Sequence, residues 1–372
     1  MQNEYRAVGG PEIAGHITSR PVRVLVVGPG RGVRGGITTV LSAYERNDIW
    51  EKYHCDWLET YDDRGHARKI LAFLKSLPLA LRLIPGRDIV HVHAAHRTSF
   101  CRKAFFVLLA KCFGKKTILH LHAPYPHAFD NGFMNRLARY VFSHADVVVA
   151  LSAFWADQVH RIAPCANVVV IPNPCAEPAE EVPPQRLRKR SVLFVGKLEP
   201  RKGYADLLRA MSAIIARVPE AELVLAGDGE VEAAGQLAEE LRIRDRIRFL
   251  GWVSAEEVHH ALSQASVFCL PSYAEGVPMA MLDAMSYRVP VVVTPVGGIP
   301  DIIRQGENGF IVNPGDVASI ASTIQMLLAC SSLRQEVADR AYNDVMAEFS
   351  PTTVCQRMAT IYDALLDAKP TD

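Results

Sequence analysis

The chain has 372 residues, 49% of them hydrophobic, which is enough to bury the cores of two domains. Its net charge is only +1, but residues 1–175 hold 22 lysines and arginines against 13 acidic residues, and the remainder holds 19 against 27. Eight cysteines without a Cys-x-x-Cys pair argue against a disulfide framework or a zinc site, and no apolar run approaches the roughly 18 residues of a membrane span. Because there is also no recognisable signal segment and no nucleic-acid-binding motif, we expect a soluble, cytoplasmic protein that does not bind nucleic acid.

The N-terminal half predicts an α/β domain. Residues 1–20 are polar and aperiodic, and we expect them to be disordered. After them, short β-branched runs alternate with amphipathic stretches, which is typical of a parallel sheet with helices on both faces. The predicted strands are 22–27, 88–93, 117–122, 146–150 and 168–171, and the predicted helices lie near 36–46, 66–84, 99–113, 132–143 and 152–162.

The C-terminal half predicts a second domain of the same class, after a proline-rich linker over 176–190. Its predicted strands are 191–195, 222–226, 246–250, 267–270, 289–294 and 310–312, and helical stretches near 316–329, 331–347 and 351–368 end the chain. We therefore predict two doubly wound, Rossmann-like domains, over 21–175 and 191–350, that face each other across a cleft. A helix over 351–372 is expected to return toward the N-terminal domain. Ligands of such sheets bind at the carboxyl ends of the strands.

A glycine-rich turn over 28–36 follows the first predicted strand. Gly30-x-Gly32-x-x-Gly35 formally fits a dinucleotide fingerprint, and this fit is the basis of an alternative function, an NAD-dependent oxidoreductase. The fit is poor because the first glycine of that fingerprint should follow the strand at once. The turn nevertheless predicts that Gly35 and Gly36 let the backbone approach a ligand at the N-terminus of the next helix.

A second glycine-rich turn, over 196–203, follows the first strand of the C-terminal half. Lys197 and Lys202 are five residues apart and can converge on phosphate oxygens near the positive end of the following helix. Asp228 follows the next predicted strand, and Val253 follows the one after that. These loops are therefore expected to line one edge of one sheet.

The segment over 271–285 carries the most specific pattern. Pro278 suits the first turn of a helix, whose backbone N–H groups would point at a bound anion. Glu275 precedes that helix and can accept hydrogen bonds from sugar hydroxyls, whereas Asp283 lies one to two turns inside it, where a carboxylate is placed to hold a ribose. The acidic pair is followed by Ala-Met-x-x-x-x-Pro-Val-Val-Val-Thr-x-x-Gly-Gly.

This pattern resembles glycosyltransferase family 4, the retaining enzymes of the B-type glycosyltransferase fold. The resemblance covers nearly the whole chain from Val22 and is strongest from Ser191 to about Gly315; the N-terminal pattern is similar to that of bacterial exopolysaccharide and surface-glycan members. It implies a retaining, metal-independent hexosyltransferase that needs no cofactor. The implied reaction moves a hexose from a UDP- or GDP-linked donor to a glycan acceptor, with a polyprenyl-diphosphate-linked glycan as the expected acceptor.

The resemblance also implies roles for individual residues. Glu275 would contact the transferred hexose, Lys197 and Lys202 the diphosphate, Asp283 the ribose and Val253 the base. The implied donor-binding residues are Gly35, Gly36, Lys197, Lys202, Asp228, Val253, Gly276, Val277, Pro278, Met279 and Asp283. Lys197 stands where the family usually has Arg, and a lysine cannot make the bidentate contact of a guanidinium. Asp283 stands where the family usually has Glu.

Four histidines end two neighbouring predicted strands. The segment over 119–124 is similar to the His-Gly strand end of the family, so His122 is the implied catalytic histidine together with Glu275, while His120 on the same sheet face stays an alternative. With His91 and His93 these residues are a candidate metal cluster. The metal-independent chemistry of the family and the lack of an Asp-x-Asp motif favour a site without metal.

Two further hypotheses concern function and location. A catalytically inactive sugar-binding module would carry the same motifs. Basic amphipathic stretches over 66–85 and 100–116 lie in the positive half, and they predict peripheral attachment to an anionic membrane at the inner face of the plasma membrane. Helices that simply cover a parallel sheet explain the leucines equally well. The lysines expected to contact lipid are Lys103, Lys111, Lys115 and Lys116.

Overall fold

The computed structural model describes residues 21–33, 35–62, 65–95, 98–122, 129, 132–178, 184–185 and 189–367. The segment 1–20, which we expect to be disordered, lies outside these residues, as do most of the linker after residue 178 and the last five residues.

The N-terminal domain contains six parallel strands in the order β2-β1-β3-β4-β5-β6. The strands are β1 Val24–Gly28, β2 Asp56–Glu59, β3 Ile89–Ala94, β4 Lys116–Leu121, β5 Val147–Ala150 and β6 Val168–Val170. The helices are α1 Gly36–Glu45, α2 Asp48–Lys52, α3 His66–Leu83, α4 Thr98–Cys112, α5 Gly132–His144 and α6 Ala153–Ile162. The strand order reverses between β1 and β3, and the crevice at such a reversal is where open α/β sheets bind ligands.

The C-terminal domain also contains six parallel strands, in the order β12-β11-β10-β7-β8-β9. The strands are β7 Ser191–Val195, β8 Glu222–Ala226, β9 Ile247–Gly251, β10 Val267–Leu270, β11 Val291–Val293 and β12 Phe310–Ile311. The helices are α7 Tyr204–Arg217, α8 Val231–Glu240, α9 Ala255–Gln264, α10 Met279–Ser286, α11 Val317–Ala329, α12 Ser331–Phe349 and α13 Pro351–Asp367. Here the order reverses between β7 and β10, so the loops over 196–203 and 271–278 meet at the reversal.

The predicted fold class is confirmed, and the differences are local. β7, β8 and β10 have the predicted bounds because each contains a short run of at least four consecutive apolar residues. β2 was not predicted; it is an edge strand in which only Leu58 is buried, so it carries no apolar run.

The last helix, α13, packs against the N-terminal domain. Val354, Met358 and Tyr362 share an apolar cluster with Val24 and Leu41. The chain therefore crosses between the domains twice, after β6 and again at the junction of α12 with α13. A backbone hydrogen bond of 2.7 Å from the Cys175 N–H to the Phe349 carbonyl joins the two crossings.

A bent pair of helices near the C-terminus has, when the two are counted together, the length and apolar composition of a membrane span. Within the described ranges no single helix is long and apolar enough to cross a bilayer. The required length and hydropathy are reached only when Val317–Ala329 and Ser331–Asp367 are counted together, and the chain bends by 103° at the break between them.

Candidate active site

A cavity of about 720 Å³ lies in the cleft between the two sheets. Its walls come from both domains and include the loops at both strand-order reversals. The N-terminal domain contributes Gly36, Ile37, Ala95, His122, Phe154, Trp155 and Asn173, and the C-terminal domain contributes Arg201, Lys202, Tyr273, Ala274, Glu275, Gly276, Val277, Pro278, Met279, Pro295, Val296, Gly297 and Pro300. Eight of the sequence-predicted site residues therefore meet here: Gly36, His122, Lys202, Glu275, Gly276, Val277, Pro278 and Met279.

Two helix N-termini, one from each domain, lie close together on the wall of this cavity. α1 begins at Gly36 and α10 begins at Met279, and a Cβ built on Gly36 would lie 3.6 Å from the Met279 sulfur. Gly35 precedes α1 with a φ of 142°, a backbone conformation that residues with a side chain rarely adopt. Because the free N–H groups at helix N-termini carry partial positive charge, the pair forms a site suited to an anion.

Glu275 and Lys202 form an ion pair on the cavity wall. The Lys202 Nζ lies 2.5 Å from the Glu275 Oε1, and the Ser272 hydroxyl donates to the same oxygen at 2.7 Å. Only 7% of the Glu275 side chain and 15% of the Lys202 side chain are exposed, so both charges depend on their partners for compensation. A sugar hydroxyl at the carboxylate and a phosphate at the ammonium are the ligands that each group could take up.

Arg201 holds the two loops of this site together. Its guanidinium donates to the Ala274 carbonyl at 2.5 Å and to the Glu199 carboxylate, and lies 3.8 Å from the second Glu275 oxygen. Next to it, Gly203 adopts a φ of 71°, and a Cβ there would lie 2.1 Å from the Pro271 carbonyl oxygen. Close packing of the backbones therefore requires glycine at 203. Arg201 was not among the predicted site residues, although it lies inside the glycine-rich turn that drew attention to its neighbours.

His122 is the histidine that faces the cavity. Its Nε2 lies 2.7 Å from the His93 Nδ1, so the two rings share one hydrogen bond. Burial lowers the pKa of His122 to about 3, while the Asn173 side chain acts in the opposite direction. The imidazole is therefore neutral at neutral pH. His120, the alternative, is fully buried and contacts the His91 ring instead, at 3.3 Å between nitrogens.

The four histidine rings form a stack behind the cavity. Their centroids are 4.2–5.4 Å apart, and the Tyr362 hydroxyl lies 2.8 Å from the His91 Nδ1 at the far end. Burial lowers the pKa of His91 to about 3 and also lowers that of His93 and His120. Ring nitrogens of these three lie within 4.8 Å of one another, which is close enough for a metal ion, so the candidate metal cluster stays a prediction. Both nitrogens of His91 already have partners within the protein, the Tyr362 hydroxyl and the His120 Nδ1.

Two family models match consecutive parts of the chain. Residues 12–176 match the model described as Glycosyltransferase Family 4, and residues 177–344 match the one described as Glycosyl transferases group 1. The chain belongs to glycosyltransferase family 4. This membership removes the basis for the NAD-dependent oxidoreductase, because the glycine turn that suggested it leads to the α1 N-terminus of a glycosyltransferase cleft.

Characterised relatives of this family 4 chain differ in what they act on. N-acetyl-alpha-D-glucosaminyl L-malate synthase of Bacillus anthracis is 28% identical over 294 residues, which is 76% of each chain. The lipopolysaccharide core biosynthesis glycosyltransferase LpsE of Rhizobium meliloti is 32% identical over 180 residues, 48% of this chain and 50% of LpsE. The crystal structure of HepE from Anabaena, in complex with UDP and glucose, superposes with a TM-score of 0.73 at 18% identity and covers 92% of this chain and 100% of HepE. That likeness shows the B-type glycosyltransferase fold.

Three of the predicted donor-binding residues of this family 4 chain lie along the same sheet edge, beyond the cavity. Lys197 and Asp228 are exposed at the ends of β7 and β8, where the Leu198 N–H donates to the Asp228 carbonyl at 2.6 Å. Val253 follows β9 and lines a separate cavity of about 390 Å³ beside α9. The edge thus runs from Glu275 past the lysines to Val253, but the contacts of these three residues with a donor stay predictions.

Asp283 makes a contact that the sequence did not predict. Its Oδ1 accepts a hydrogen bond of 2.7 Å from the Ala176 N–H, in the first crossing between the domains. Burial raises the pKa of this carboxyl to about 7. The ribose contact implied by the family stays a prediction, and the structure adds a second role for Asp283, which is to anchor the crossing to α10.

Proposed function

We propose that this glycosyltransferase moves a hexose from a UDP- or GDP-linked donor to a glycan acceptor, with retention of anomeric configuration. The observation that carries the proposal is the Lys202–Glu275 pair in the same cavity that the N-termini of α1 and α10 line. This cavity therefore contains a carboxylate that can bind sugar hydroxyls, an ammonium group that can bind phosphate, and two helix N-termini that favour negative charge.

The chemical step is departure of the nucleoside diphosphate. Negative charge builds up on the leaving diphosphate, and Lys202 together with the α10 N–H groups is placed to stabilise it where water is partly excluded. Glu275 would orient the hexose through its hydroxyls. His122, neutral at neutral pH, would hydrogen-bond the sugar without adding a positive charge. The acceptor hydroxyl attacks from the face that the leaving diphosphate vacates, which gives retention, and its proton passes to an oxygen of that diphosphate. We assign no covalent nucleophile.

A UDP-linked hexose is the first donor to test. Support comes from HepE, whose crystal structure holds UDP and glucose. For the acceptor we propose a lipid-linked glycan, such as one on polyprenyl diphosphate, in bacterial exopolysaccharide or surface-polysaccharide synthesis. The relative LpsE, which acts in lipopolysaccharide core biosynthesis, and the positive charge of the N-terminal half support this choice.

The test is release of nucleoside diphosphate from a panel of UDP- and GDP-sugars, with Glu275→Ala as the inactive reference. We expect one donor class to give release that exceeds the reference at least about a hundredfold, on the scale of one lost transition-state contact. Thermal stabilisation by UDP or GDP without release from any sugar would instead identify the inactive sugar-binding module. Stabilisation by NAD and not by either diphosphate would contradict the proposal.

A further inference from the structure

Three helices of the N-terminal domain, α3, α4 and α5, present an exposed apolar surface. They cover one face of the sheet and share one core, in which Phe73 of α3 contacts the rings of Phe105 and Phe106 of α4. Nine of the fourteen large hydrophobic side chains that are exposed in the described chain lie on these helices or directly after α4. They are Ile70, Leu71, Leu74, Leu79, Leu81, Phe105, Phe113, Phe133 and Tyr140, which we call the α3–α5 face.

α3 carries two parallel stripes on its outer side. Ile70, Leu74 and Leu81 are spaced by four and seven residues and form an apolar stripe, in which Ile70 is 62% exposed. Arg68, Lys75 and Arg82 are spaced by seven residues and form a basic stripe beside it, and all three are exposed. Since another side of α3 already packs into the core through Phe73 and Ala80, the exposed stripe is not needed to bury this helix.

The three helices that form this face carry basic and no acidic side chains. The sequences of α3, α4 and α5 contain no aspartate or glutamate, and from residue 65 to residue 129 the chain has a single acidic residue, Asp88. Exposed apolar side chains that gather on neighbouring helices are typical of an interaction surface. An apolar stripe bordered by basic residues is the composition of a helix that lies in the interface of an anionic membrane.

The structure shows which of the predicted lysines are free to contact lipid at this face. Lys103 is 3% exposed, and its ammonium donates to the Thr60 hydroxyl inside the domain. Lys111 is paired with the Asp146 carboxylate at 2.9 Å. The expectation that Lys103 and Lys111 contact lipid is therefore wrong for the first and weakened for the second, because both ammonium groups are used within the fold. Lys115 and Lys116 are half-buried.

We propose that the α3–α5 face docks on an anionic lipid bilayer, with the apolar stripe of α3 in the headgroup region and its basic stripe on the lipid phosphates. The face borders the cleft, because α4 starts three residues after Ala95, which lines the cavity. A lipid-linked acceptor could then reach the cavity without leaving the membrane. Membrane docking does not depend on turnover. The docking proposal can therefore be wrong while the proposed glycosyl transfer is right, and the transfer can be wrong while docking is right.

The experiment is co-sedimentation of the full chain with vesicles of phosphatidylglycerol and phosphatidylcholine, or of phosphatidylcholine alone. We compare wild type, a basic-stripe variant (Arg68→Glu, Lys75→Glu, Arg82→Glu) and an apolar-stripe variant (Ile70→Ser, Leu74→Ser, Leu81→Ser). The matched control changes three exposed arginines elsewhere, Arg217→Glu, Arg340→Glu and Arg357→Glu, and so alters the net charge equally. Melting temperature and donor hydrolysis are measured for each protein.

Wild type and the control should bind anionic vesicles at 0.1 M salt at least tenfold more tightly than either stripe variant. Binding of wild type should also fall at 1 M salt, where the Debye length shrinks from about 10 Å to about 3 Å. The proposal is overturned if wild type ignores anionic vesicles at low salt, or if both stripe variants bind as well as the control. The proposal is also overturned if wild type sediments as a dimer and the apolar-stripe variant sediments as a monomer, since the α3–α5 face would then bind a second copy of the chain.

Discussion

The Lys202 ammonium and the Glu275 carboxylate lie 2.5 Å apart, and they join the loops that follow β7 and β10. Each is the main charge partner of the other in a site where little of either side chain is exposed. Breaking the pair therefore affects both the reaction and the stability of the fold.

Replacing either partner should reduce transfer strongly. We expect Glu275→Ala and Lys202→Ala each to lower the transfer rate at least about a hundredfold, which corresponds to ~2.7 kcal/mol of transition-state stabilisation. Each single variant should also lower the free energy of unfolding, because it removes the nearest partner of a largely buried charge, and the double variant should cost less than the sum of the two. Steady-state kinetics and urea unfolding check these outcomes. Rates like wild type in both single variants would exclude this site.

The histidine stack should make the fold sensitive to acid. Burial lowers the pKa of His91 and His122 to about 3 and lowers that of His93 and His120, whereas a histidine in an unfolded chain has a pKa near 6.5. The unfolded state therefore binds more protons between about pH 3 and pH 6.5, and the free energy of unfolding falls as the pH falls through that window. Each histidine contributes up to ~1.4 kcal/mol per pH unit.

Urea unfolding from pH 4.5 to 7.5 measures this slope. His120→Gln should flatten it, while His160→Gln, which changes an exposed histidine of α6, serves as the control. Equal slopes in wild type and His120→Gln would contradict the assignment of the acid sensitivity to the stack.

Asp283 should have the opposite pH dependence. Its pKa of about 7 lies above the usual value near 3.9, so the folded state binds more protons between about pH 4 and pH 7. The contribution of this carboxyl to the free energy of unfolding therefore falls as the pH rises through that window. Asp283→Asn keeps an oxygen for the Ala176 N–H and has no charge to bury, so its stability relative to wild type should be greater at pH 8 than at pH 5. A relative stability that is the same at both pH values would count against a buried carboxylate, and a raised donor KM in the same variant would support the ribose contact.

Transfer should not require a metal ion. Lys202 and two helix N-termini are placed to meet the diphosphate charge, and both nitrogens of His91 in the histidine cluster already have partners within the protein. Activity after dialysis against EDTA should equal that of the untreated enzyme. Activity that disappears with EDTA and returns with Mn²⁺ or Mg²⁺ would contradict this expectation and point to the histidine cluster.

Sequence patterns predicted the helices and strands and the sheet edge at which the site lies. They did not predict which side chains contact each other there. Strands such as β7 and β10 were predictable because their apolar runs are local signals, and parallel topology then places the loops after them together. The contact of Asp283 with Ala176 joins residues that are 107 positions apart, and no local pattern encodes it. Lys103 was misplaced for the same reason, since its partner Thr60 follows β2, a strand with only one buried residue.

The hydrogen bond between Cys175 and Phe349 sets the way in which the cleft can close. Two crossings that lie side by side allow one domain to rotate about a common axis and resist sliding or separation of the domains. We expect the backbone torsions that absorb such a rotation to lie in a few residues around 174–178 and 349–351. Stiffening either short segment should therefore slow opening and closing, and with it donor entry and product release, without changing any residue that touches the substrate.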